Sequence, residues 1–391
     1  MEAPNPRQGP DSHGGALPLP ADALYEVLLR VPVRDLCRLR AVCRPWRRLL
    51  SDPHFVAVHT GHHPEPQPLI VIGYGTYIRD GGFICDVVDL TGRVVKRVRA
   101  PGDGVGAEAV RFIHLDFVCT SKGTYRCLRF LNLATGSAYA LPEGVAEEHA
   151  AYQPYTNSWV EAAFGQVPTT GEFKVVRVLD DSYEKQLCEV FTLDGGNHAR
   201  WRGKKSPPIP VIFGCGRSVA VTVNGIAYFF AKFVQPQDFA RDCIASFDLE
   251  TEEWKPSLRG PLSSLADAPG LPDPGDLSMA AMNGCLVVVH NSNNIIDLWF
   301  LMDIERGLWV KKHSIQIQLD VWRPEADPYA RVHPMVLNDG RIVLVHVGNK
   351  MGSLRIYNQK TNVSTHVAEV GYCFAVGLYK GSPLSLSSWD N

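Results

Sequence analysis

Three histidines, His59, His62 and His63, are the residues of this chain best suited to hold a metal ion. Imidazole nitrogens are common zinc ligands, yet a structural zinc site needs four ligands, which usually come in close pairs such as C-x-x-C. None of the ten cysteines forms such a pair, and His62 and His63 stand in a proline-rich stretch. We therefore expect no metal ion and no cofactor.

A second candidate for chemistry is the dense basic and aromatic cluster at residues 200–205, Arg-Trp-Arg-Gly-Lys-Lys. It could contact the backbone of a nucleic acid or an acidic patch on a partner. The alternative is a solvated turn that follows a strand. Because the formal net charge is −2, the chain as a whole does not attract nucleic acid or an anionic membrane. We expect neither as a partner.

The motifs of the common enzyme classes are missing from the sequence. There is no G-x-S-x-G, H-E-x-x-H, P-loop or EF-hand pattern. Glycine-rich stretches at residues 73–75 and 102–106 do not have the spacing of a phosphate-binding loop. Carboxylates are plentiful, but their spacing in the sequence does not identify a pair that could act in general acid–base catalysis. The sequence therefore predicts a protein that is not an enzyme.

The cysteines and the N-terminal residues indicate the compartment. Most cysteines lie in apolar runs, as Cys85 and Cys119 do, which is typical of small buried hydrophobes in a reducing environment. Residues 1–16 are rich in Pro, Gly and polar types and lack the apolar core of a secretory signal. No run of about 18 apolar residues is present, so no membrane is expected as a partner. We expect the nucleus, the cytoplasm or both.

Residues 17–59 predict short helices. An apolar face recurs at helical spacing over Leu24, Val27, Leu28 and Val31. Asp22 stands where it can cap the start of this helix, and Pro32 ends it.

A second helical stretch follows, in which Asp35 can cap the start and Pro45 marks a break between two short helices. Its apolar stripe comprises Leu36, Leu39, Cys43, Trp46 and Leu50. Periodicity alone describes a helical hairpin packed on its own domain. Segments below about 40 residues rarely stabilise themselves. An apolar stripe this wide therefore favours burial against another chain.

Beyond residue 68 the pattern becomes strand-like and one motif repeats. Apolar runs end in Asp, Asn or Thr followed by a turn, at spacings of 43, 60, 56, 55 and 55 residues. The six copies are centred on Asp89, Asn132, Thr192, Asp248, Asp303 and Asn358. Trp254 and Trp309 each stand six residues after their aspartate. Type I′ hairpin turns are predicted at Asn224-Gly225, Asn283-Gly284 and Asp339-Gly340.

A period near 50 residues with several short strands in each unit is typical of a propeller-like array. Each unit is a small sheet that cannot bury both faces alone, so neighbouring units must stack. We predict a mainly β protein with a small N-terminal α motif, followed by a β-propeller-like domain of about six blades. The alternative is an irregular β-sandwich.

Residues 17–59 also resemble the F-box of plant proteins, a short three-helix motif. The similarity lies in Leu19, Pro20, Asp22, Leu24, Glu26, Val27, Leu28, Arg30, Val31, Pro32, Val33, Leu36, Leu39, Arg40, Val42, Cys43, Arg44, Trp46, Leu49, Leu50, Ser51, Asp52, Pro53, Phe55 and His59. The resemblance implies docking onto a Skp-family adaptor and, through it, a cullin. The implied adaptor-binding residues are Leu19, Pro20, Leu24, Leu28, Val31, Pro32, Leu36, Leu39, Val42, Cys43, Trp46 and Leu49.

Residues from about 70 to 380 resemble, more loosely, the F-box-associated domain of plant F-box proteins. The similar signatures lie at residues 163–165, 173–176, 189–191, 246–254 and 298–303. This resemblance implies a kelch-like β-propeller that recognises a target. The expected organisation is a disordered N-terminus (1–16), an F-box (17–60), a linker (61–68), a propeller-like domain (69–381) and a tail (382–391).

Long loops are where a rigid scaffold presents binding residues, and aromatic and arginine side chains are favoured anchors. The candidates for contact with a target protein are Trp322, Arg323, Tyr329, Arg331, Phe233 and Phe239. The alternative is that these side chains cover the edges of the blades.

Together these features predict a substrate-recognition subunit of an SCF-type cullin-RING ubiquitin ligase. The chain would bring a protein target close to a charged ubiquitin-conjugating enzyme and would supply no nucleophile. Two alternatives remain: a propeller-based enzyme, favoured if ionisable residues converge at the channel, and an adaptor-bound scaffold without a ligase role.

Overall fold

The computed structural model divides the chain into two compact units, a helical unit within residues 20–62 and a β-rich unit within residues 68–381. The structure describes residues 20–40, 42–62, 68–74, 82–101, 108–122, 127–151, 160–181, 185–193, 200–213, 220–231, 242–263, 277–292, 295–317, 331–347 and 352–381. The predicted fold class is confirmed, because short N-terminal helices precede a six-bladed β-propeller.

The described part of the helical unit contains four α-helices. They are α1 (Ala21–Leu29), α2 (Val33–Leu39), α3 (Arg44–Leu50) and α4 (Pro53–His62). Pro45 lies in the first turn of α3, so the predicted break between α2 and α3 is confirmed. The sequence did not separate α4, which begins because Asp52 Oδ1 accepts hydrogen bonds from the backbone N–H groups of His54 (2.8 Å) and Phe55 (3.2 Å).

Prolines, and not aspartates, precede the first two helices. Pro20 and Pro32 occupy the N-cap positions of α1 and α2, without a side-chain hydrogen bond. The predicted caps Asp22 and Asp35 lie inside the first turn, where a carboxylate interacts favourably with the helix dipole. The capping prediction was therefore wrong, because an extended proline allows each helix to begin earlier than its aspartate.

The four helices surround a small core of their own. Leu28, Leu29, Leu36, Leu50 and Phe55 are buried together. The ring of Phe55 meets Tyr25 edge-on, with centroids 5.2 Å apart. His59 is buried beside them, and its Nε2 lies 2.9 Å from the backbone carbonyl of Val31. This histidine links α4 to the end of α1, which is a packing role.

The propeller consists of six four-stranded antiparallel sheets, which we number as blades 1 to 6. Blade 1 contains β1 (Leu69–Tyr74), β2 (Gly82–Val88), β3 (Val94–Pro101) and β24 (Ala375–Tyr379). Blade 2 contains β4 (Glu108–His114), β5 (Phe117–Lys122), β6 (Cys127–Asn132) and β7 (Ala138–Ala140). Blade 3 contains β8 (Val160–Gln166), β9 (Phe173–Asp181), β10 (Lys185–Thr192) and β11 (Arg202–Lys204).

The remaining blades follow in chain order. Blade 4 contains β12 (Val221–Val223), β13 (Ile226–Phe230), β14 (Ile244–Asp248) and β15 (Glu253–Trp254). Blade 5 contains β16 (Leu277–Met282), β17 (Cys285–Ser292), β18 (Ile295–Asp303) and β19 (Leu308–Gln316). Blade 6 contains β20 (Arg331–Val336), β21 (Ile342–Val347), β22 (Gly352–Asn358) and β23 (Val363–Val370).

The ring is closed by its last strand. In blade 1 the strand order is β24-β1-β2-β3, so the C-terminal strand β24 is the innermost strand of the first blade. It pairs antiparallel with β1 from Leu69↔Tyr379 to Gly73↔Ala375. The two ends of the propeller sequence are thereby joined in one sheet.

The repeated Asp/Asn motif marks the same place in the blades. Its residue ends or directly follows the third strand of each blade, counting outward from the axis. Asp89, Asn132, Asp248 and Asn358 each accept a hydrogen bond from the backbone N–H two residues later. The motif recurs because a short side-chain acceptor stabilises the turn into the outermost strand.

Two of the three predicted type I′ turns are present in the hairpins between the inner strands. Asn224-Gly225 and Asn283-Gly284 have two positive φ angles each, as type I′ turns require. At the third predicted site only Gly340 has a positive φ, and Leu337 pairs with Arg341 around a three-residue loop. That loop type was predicted wrongly, because Asp339 instead accepts a hydrogen bond from the Arg341 backbone N–H.

Apolar clusters fill the interfaces between blades. Between blades 2 and 3, for example, the rings of Phe130 and Phe164 lie 4.9 Å apart, and both are fully buried. Similar clusters join blades 3 and 4, 4 and 5, 5 and 6, and 6 and 1. Each blade is therefore stable only when its neighbours cover its faces.

Three tryptophans join the outer edges of consecutive blades. Trp201 Nε1 donates to the carbonyl of Pro142 (2.7 Å), Trp254 Nε1 to that of Lys205 (2.8 Å) and Trp309 Nε1 to that of Arg259 (2.8 Å). In each case the acceptor lies beyond the outermost strand of the preceding blade. The regular spacing of Trp254 and Trp309 in the sequence thus reflects a repeated contact between blades.

Replacing Trp309 with Phe should remove one such contact while keeping an aromatic ring. We expect the free energy of unfolding of the propeller to fall by about 1 kcal/mol, because the Arg259 carbonyl loses its donor. The matched control is Trp299→Phe on the adjacent strand, since within the described residues Trp299 Nε1 is buried without a partner. The control should be neutral or stabilising in urea unfolding followed by circular dichroism. An equal loss in both variants would contradict the proposed role of the indole N–H.

Candidate functional site

The residues predicted to contact an adaptor divide into two groups. Leu28 (1 % exposed) and Leu36 (0 % exposed) lie in the core of the helical unit. Leu24, Val31, Leu39, Trp46 and Leu49 are half-buried against that core, whereas Pro20, Pro32, Val42 and Cys43 are exposed. Leu19 lies outside the described residues. Of the predicted set, the exposed and half-buried members are those that present surface.

Two valines stand out on the helical unit. Val27 on α1 is 51 % exposed, and Val42 between α2 and α3 is 63 % exposed. The predicted set omitted Val27, although its helical spacing places it on the apolar stripe. The Arg44, Arg47 and Arg48 side chains are exposed on the neighbouring α3. The unit thus offers apolar positions beside basic ones.

On the propeller, the basic cluster at residues 200–205 is largely paired within the fold. Arg202 and Lys204 form ion pairs with Glu252 of the next blade (2.5 and 2.7 Å), and Lys174 joins them (2.9 Å). Burial opposes the ionisation of Glu252, but the hydrogen bonds from these three cations outweigh it and lower its pKa to about 2. The cluster therefore joins blades 3 and 4.

Trp201 of the same cluster covers a buried ion pair. Arg177 on β9 and Glu189 on β10 face each other across the sheet, with Arg177 Nη2 2.6 Å from Glu189 Oε2. The Arg177 guanidinium lies 3.7 Å from the Trp201 ring centroid. His149 Nδ1 contacts the other Glu189 oxygen at 2.9 Å. Because both carboxylate oxygens are engaged, this constellation of Arg, Glu and His has a structural role.

The cysteines and histidines do not form a metal site in the part of the chain that the structure describes. His59 packs in the helical core, His62 Nδ1 lies 3.0 Å from the Val58 carbonyl, and His63 is outside the described residues. The described thiols Cys85, Cys119 and Cys188 are free and buried, and burial raises the pKa of each. Among the described residues, no helix is long and apolar enough to cross a membrane.

One of the six predicted target-binding residues can be placed. Arg331 begins β20, the innermost strand of blade 6, and lies within the propeller and not on an outer loop. Trp322, Arg323, Tyr329, Phe233 and Phe239 fall outside the described residues. Glu161 lies on β8, the innermost strand of blade 3, and is buried. The positive charge of Arg331 favours the ionised form of the Glu161 carboxyl. No local pattern in the sequence points to this pair, because its members lie 170 positions apart.

Comparison with known families agrees with this architecture. Residues 17–57 match the F-box domain family. Residues 108–372, more than half of the chain, match the F-box associated beta propeller domain family. The chain is an F-box protein with an F-box associated propeller. Both resemblances found in the sequence are thereby confirmed.

Curated relatives of this F-box protein come from Arabidopsis thaliana. The F-box protein At3g07870 is 23% identical over 334 residues, which cover 77% of this chain and 73% of the relative. F-box protein CPR1 is 23% identical over 399 residues (89% and 87%). F-box/kelch-repeat protein At3g23880 is 21% identical over 359 residues (87% and 87%). The similarity thus extends across both units.

The Glu252 cluster predicts a dependence of stability on pH. The folded-state pKa of Glu252 lies below its ordinary value of 4.5, so its contribution is present at neutral pH and is lost as pH falls through about 2. Glu252→Gln should lower the free energy of unfolding of this F-box protein by about 2 kcal/mol at pH 7. The difference from wild type should shrink as the pH falls below about 4.

The matched control is Glu250→Gln in the same hairpin, where the carboxylate is exposed and accepts a hydrogen bond from the Thr169 hydroxyl. We expect a change below about 0.5 kcal/mol in that variant. Urea unfolding from pH 2 to pH 7 measures both. A constant deficit of Glu252→Gln at every pH would show that the ion pairs are not its cause.

Proposed function

We propose that this F-box protein is the substrate-recognition subunit of an SCF-type cullin-RING ubiquitin ligase. The helical unit would bind a Skp-family adaptor and, through it, a cullin. The propeller would bind a protein target. The observation that carries the proposal is the combination, in one chain, of an F-box with a closed propeller of the F-box associated family.

The exposed apolar positions of the helical unit support adaptor binding. A unit of about 40 residues keeps few apolar side chains for its own core, yet Val27 and Val42 are left more than half exposed. Exposed apolar groups beside polar ones are typical of protein interfaces. Leu28 and Leu36 then act indirectly, by holding α1 and α2 in place beneath that surface.

The propeller would act by binding and not by chemistry. Holding a target close to a charged ubiquitin-conjugating enzyme raises its effective concentration, which accelerates transfer without a catalytic residue in this chain. The covalent step then belongs to the other subunits. Nucleus and cytoplasm are both compatible with this role.

Charge introduced at the two exposed valines should weaken adaptor binding strongly. The full chain carrying Val27→Glu and Val42→Glu is co-expressed with a Skp-family adaptor, and the dissociation constant is measured by calorimetry. We expect a loss of at least about tenfold, because each glutamate would have to be desolvated in an apolar contact. Thermal unfolding should stay unchanged, since both sites are exposed.

The control for this experiment is Ala57→Glu, which adds one glutamate at an exposed position of α4 outside the predicted adaptor set. It should bind the adaptor like the wild type. Failure of the wild-type chain to bind any adaptor, or equal binding by the double-valine variant, would overturn the proposed interface.

A second experiment separates a ligase receptor from a scaffold. Proteins that co-purify with the full chain are followed after synthesis is blocked, in cells that express either the wild type or the double-valine variant. A ligase receptor predicts a shorter half-life of the bound protein with the wild type than with the variant. Equal half-lives would favour the scaffold.

A further inference from the structure

The axis of the propeller brings together charged side chains from distant parts of the chain. The innermost strands lie next to one another in the order of the blades, from β8 through β12, β16, β20 and β24 to β4. Blades 3 and 6 therefore face each other across the axis. Glu161 lies on β8 and Arg331 on β20, and the charge of each nevertheless shifts the pKa of the other. Both side chains therefore lie close enough to the axis for each charge to influence the other.

Both side chains have polar atoms without a partner among the described residues. Glu161 is only 3 % exposed, and its Oε1 accepts a hydrogen bond from the Ala220 backbone N–H (3.2 Å), whereas its Oε2 accepts none. Nε and Nη1 of Arg331 are buried and donate to no described group. Buried polar atoms are costly unless they are hydrogen-bonded, so these three unsatisfied atoms near the axis point to a ligand.

Arg111 adds a second guanidinium to the same place. It lies on β4, the innermost strand of blade 2, and its positive charge lowers the pKa of both Glu161 and Arg331. Val110 pairs with Thr120 and Phe112 with Cys119, so Arg111 is the extra residue of a β-bulge. A bulge changes the direction of a side chain relative to the regular alternation of the strand.

The sign of the charge in the channel follows from these groups. Burial raises the pKa of Glu161 to about 8 against the opposing effects of Arg111, the Ala220 N–H and Arg331, so the carboxyl is mainly protonated at pH 7. Burial lowers the pKa of Arg331 to about 10, which leaves the guanidinium charged. Arg331, Arg111 and Glu161 together therefore carry a net positive charge, which remains positive even when Glu161 ionises.

We propose that the axial channel binds a small oxyanion, a carboxylate or a sulfate-like or phosphate-like group, between Arg331 and Arg111, with Glu161 donating a hydrogen bond to it. Guanidinium groups bind such oxyanions through paired N–H donors. The protonated Glu161 would supply a donor from its Oε2. This site is separate from the proposed adaptor surface and does not depend on the ligase role.

The chemistry of the neighbouring groups favours binding over catalysis. Burial raises the pKa of the Cys373 thiol to about 12, so it is not a thiolate at neutral pH. Burial, together with the charges of Arg331 and His346, lowers the pKa of His333 to about 3, which keeps its imidazole neutral. Ionisable residues converge in the channel, as a propeller-based enzyme would require, but the described ones do not include an activated nucleophile.

The test measures anion binding by the purified full chain without an adaptor. Sodium sulfate and sodium acetate are titrated at constant ionic strength, with chloride as the reference, and binding is followed by calorimetry and by the unfolding temperature. We expect saturable binding of at least one of the two anions by the wild type. Sulfate also stabilises proteins in general, so only the part of the temperature shift that Arg331→Met removes is assigned to the site.

Two variants give opposite expectations. Arg331→Met should lose the binding by at least tenfold, yet in chloride it should unfold at the same or a higher temperature, because it removes a buried charge whose Nε and Nη1 have no hydrogen-bond partner among the described residues. Arg306→Gln, a control at an exposed arginine of blade 5, should bind like the wild type. If Arg331→Met does not fold, the titration of the wild type decides alone. Absence of saturable binding of both anions, or equal binding by Arg331→Met, would overturn the proposal.

The pH dependence provides an independent check on Glu161. The affinity of the wild type should be constant between about pH 6 and 7 and should fall as Glu161 ionises above about pH 8, because a carboxylate repels the bound anion. Glu161→Gln cannot ionise, so its affinity should not fall over the same range. Sulfate and acetate keep a constant charge there. A similar fall in both proteins would show that Glu161 is not part of the site.

Discussion

The burial of sheet faces between neighbouring blades is the constraint on which the propeller depends. A four-stranded sheet has two faces, and the clusters around Phe130 and Phe164, and around the corresponding residues of the other interfaces, cover them only when the next blade is present. The pairing of β24 with β1 completes the ring. Without that closure, the first and last blades would each expose an apolar face to water.

The polar groups at the rim of the ring and those at its axis differ in whether they are paired. At the rim, indole N–H groups and the cations around Glu252 join one blade to the next through paired polar contacts. At the axis, Arg331 and Glu161 have polar atoms that the described residues do not satisfy. Polar groups that are paired contribute to the fold, whereas buried and unpaired ones lower stability and are concentrated at functional sites.

The sequence predicted the fold where the signal was local. Asp89 and its equivalents, the Asn-Gly turns and Pro45 act within a few residues of themselves, so their spacing gave the blades and the break between α2 and α3. The starts of α1 and α2 were misplaced because prolines compete with aspartates at helix ends. The channel pair and the ion pairs of Glu252 could not be predicted, since they join side chains from different blades. On the F-box, periodicity gave the apolar stripe but not which of its residues, such as Leu28 and Val42, face inward or outward.

The position of β24 also has a consequence for how the chain is made. Because the innermost strand of blade 1 is formed by Ala375–Tyr379, the ring cannot close until residue 379 has left the ribosome. The helices that end at His62 emerge about 300 residues earlier, which is roughly half a minute at ~10 residues per second. The F-box helices are thus complete while the propeller is still an open array. Under the proposed function, adaptor binding can precede the completion of the propeller, and a chain that stops short of β24 would keep its F-box without a closed propeller.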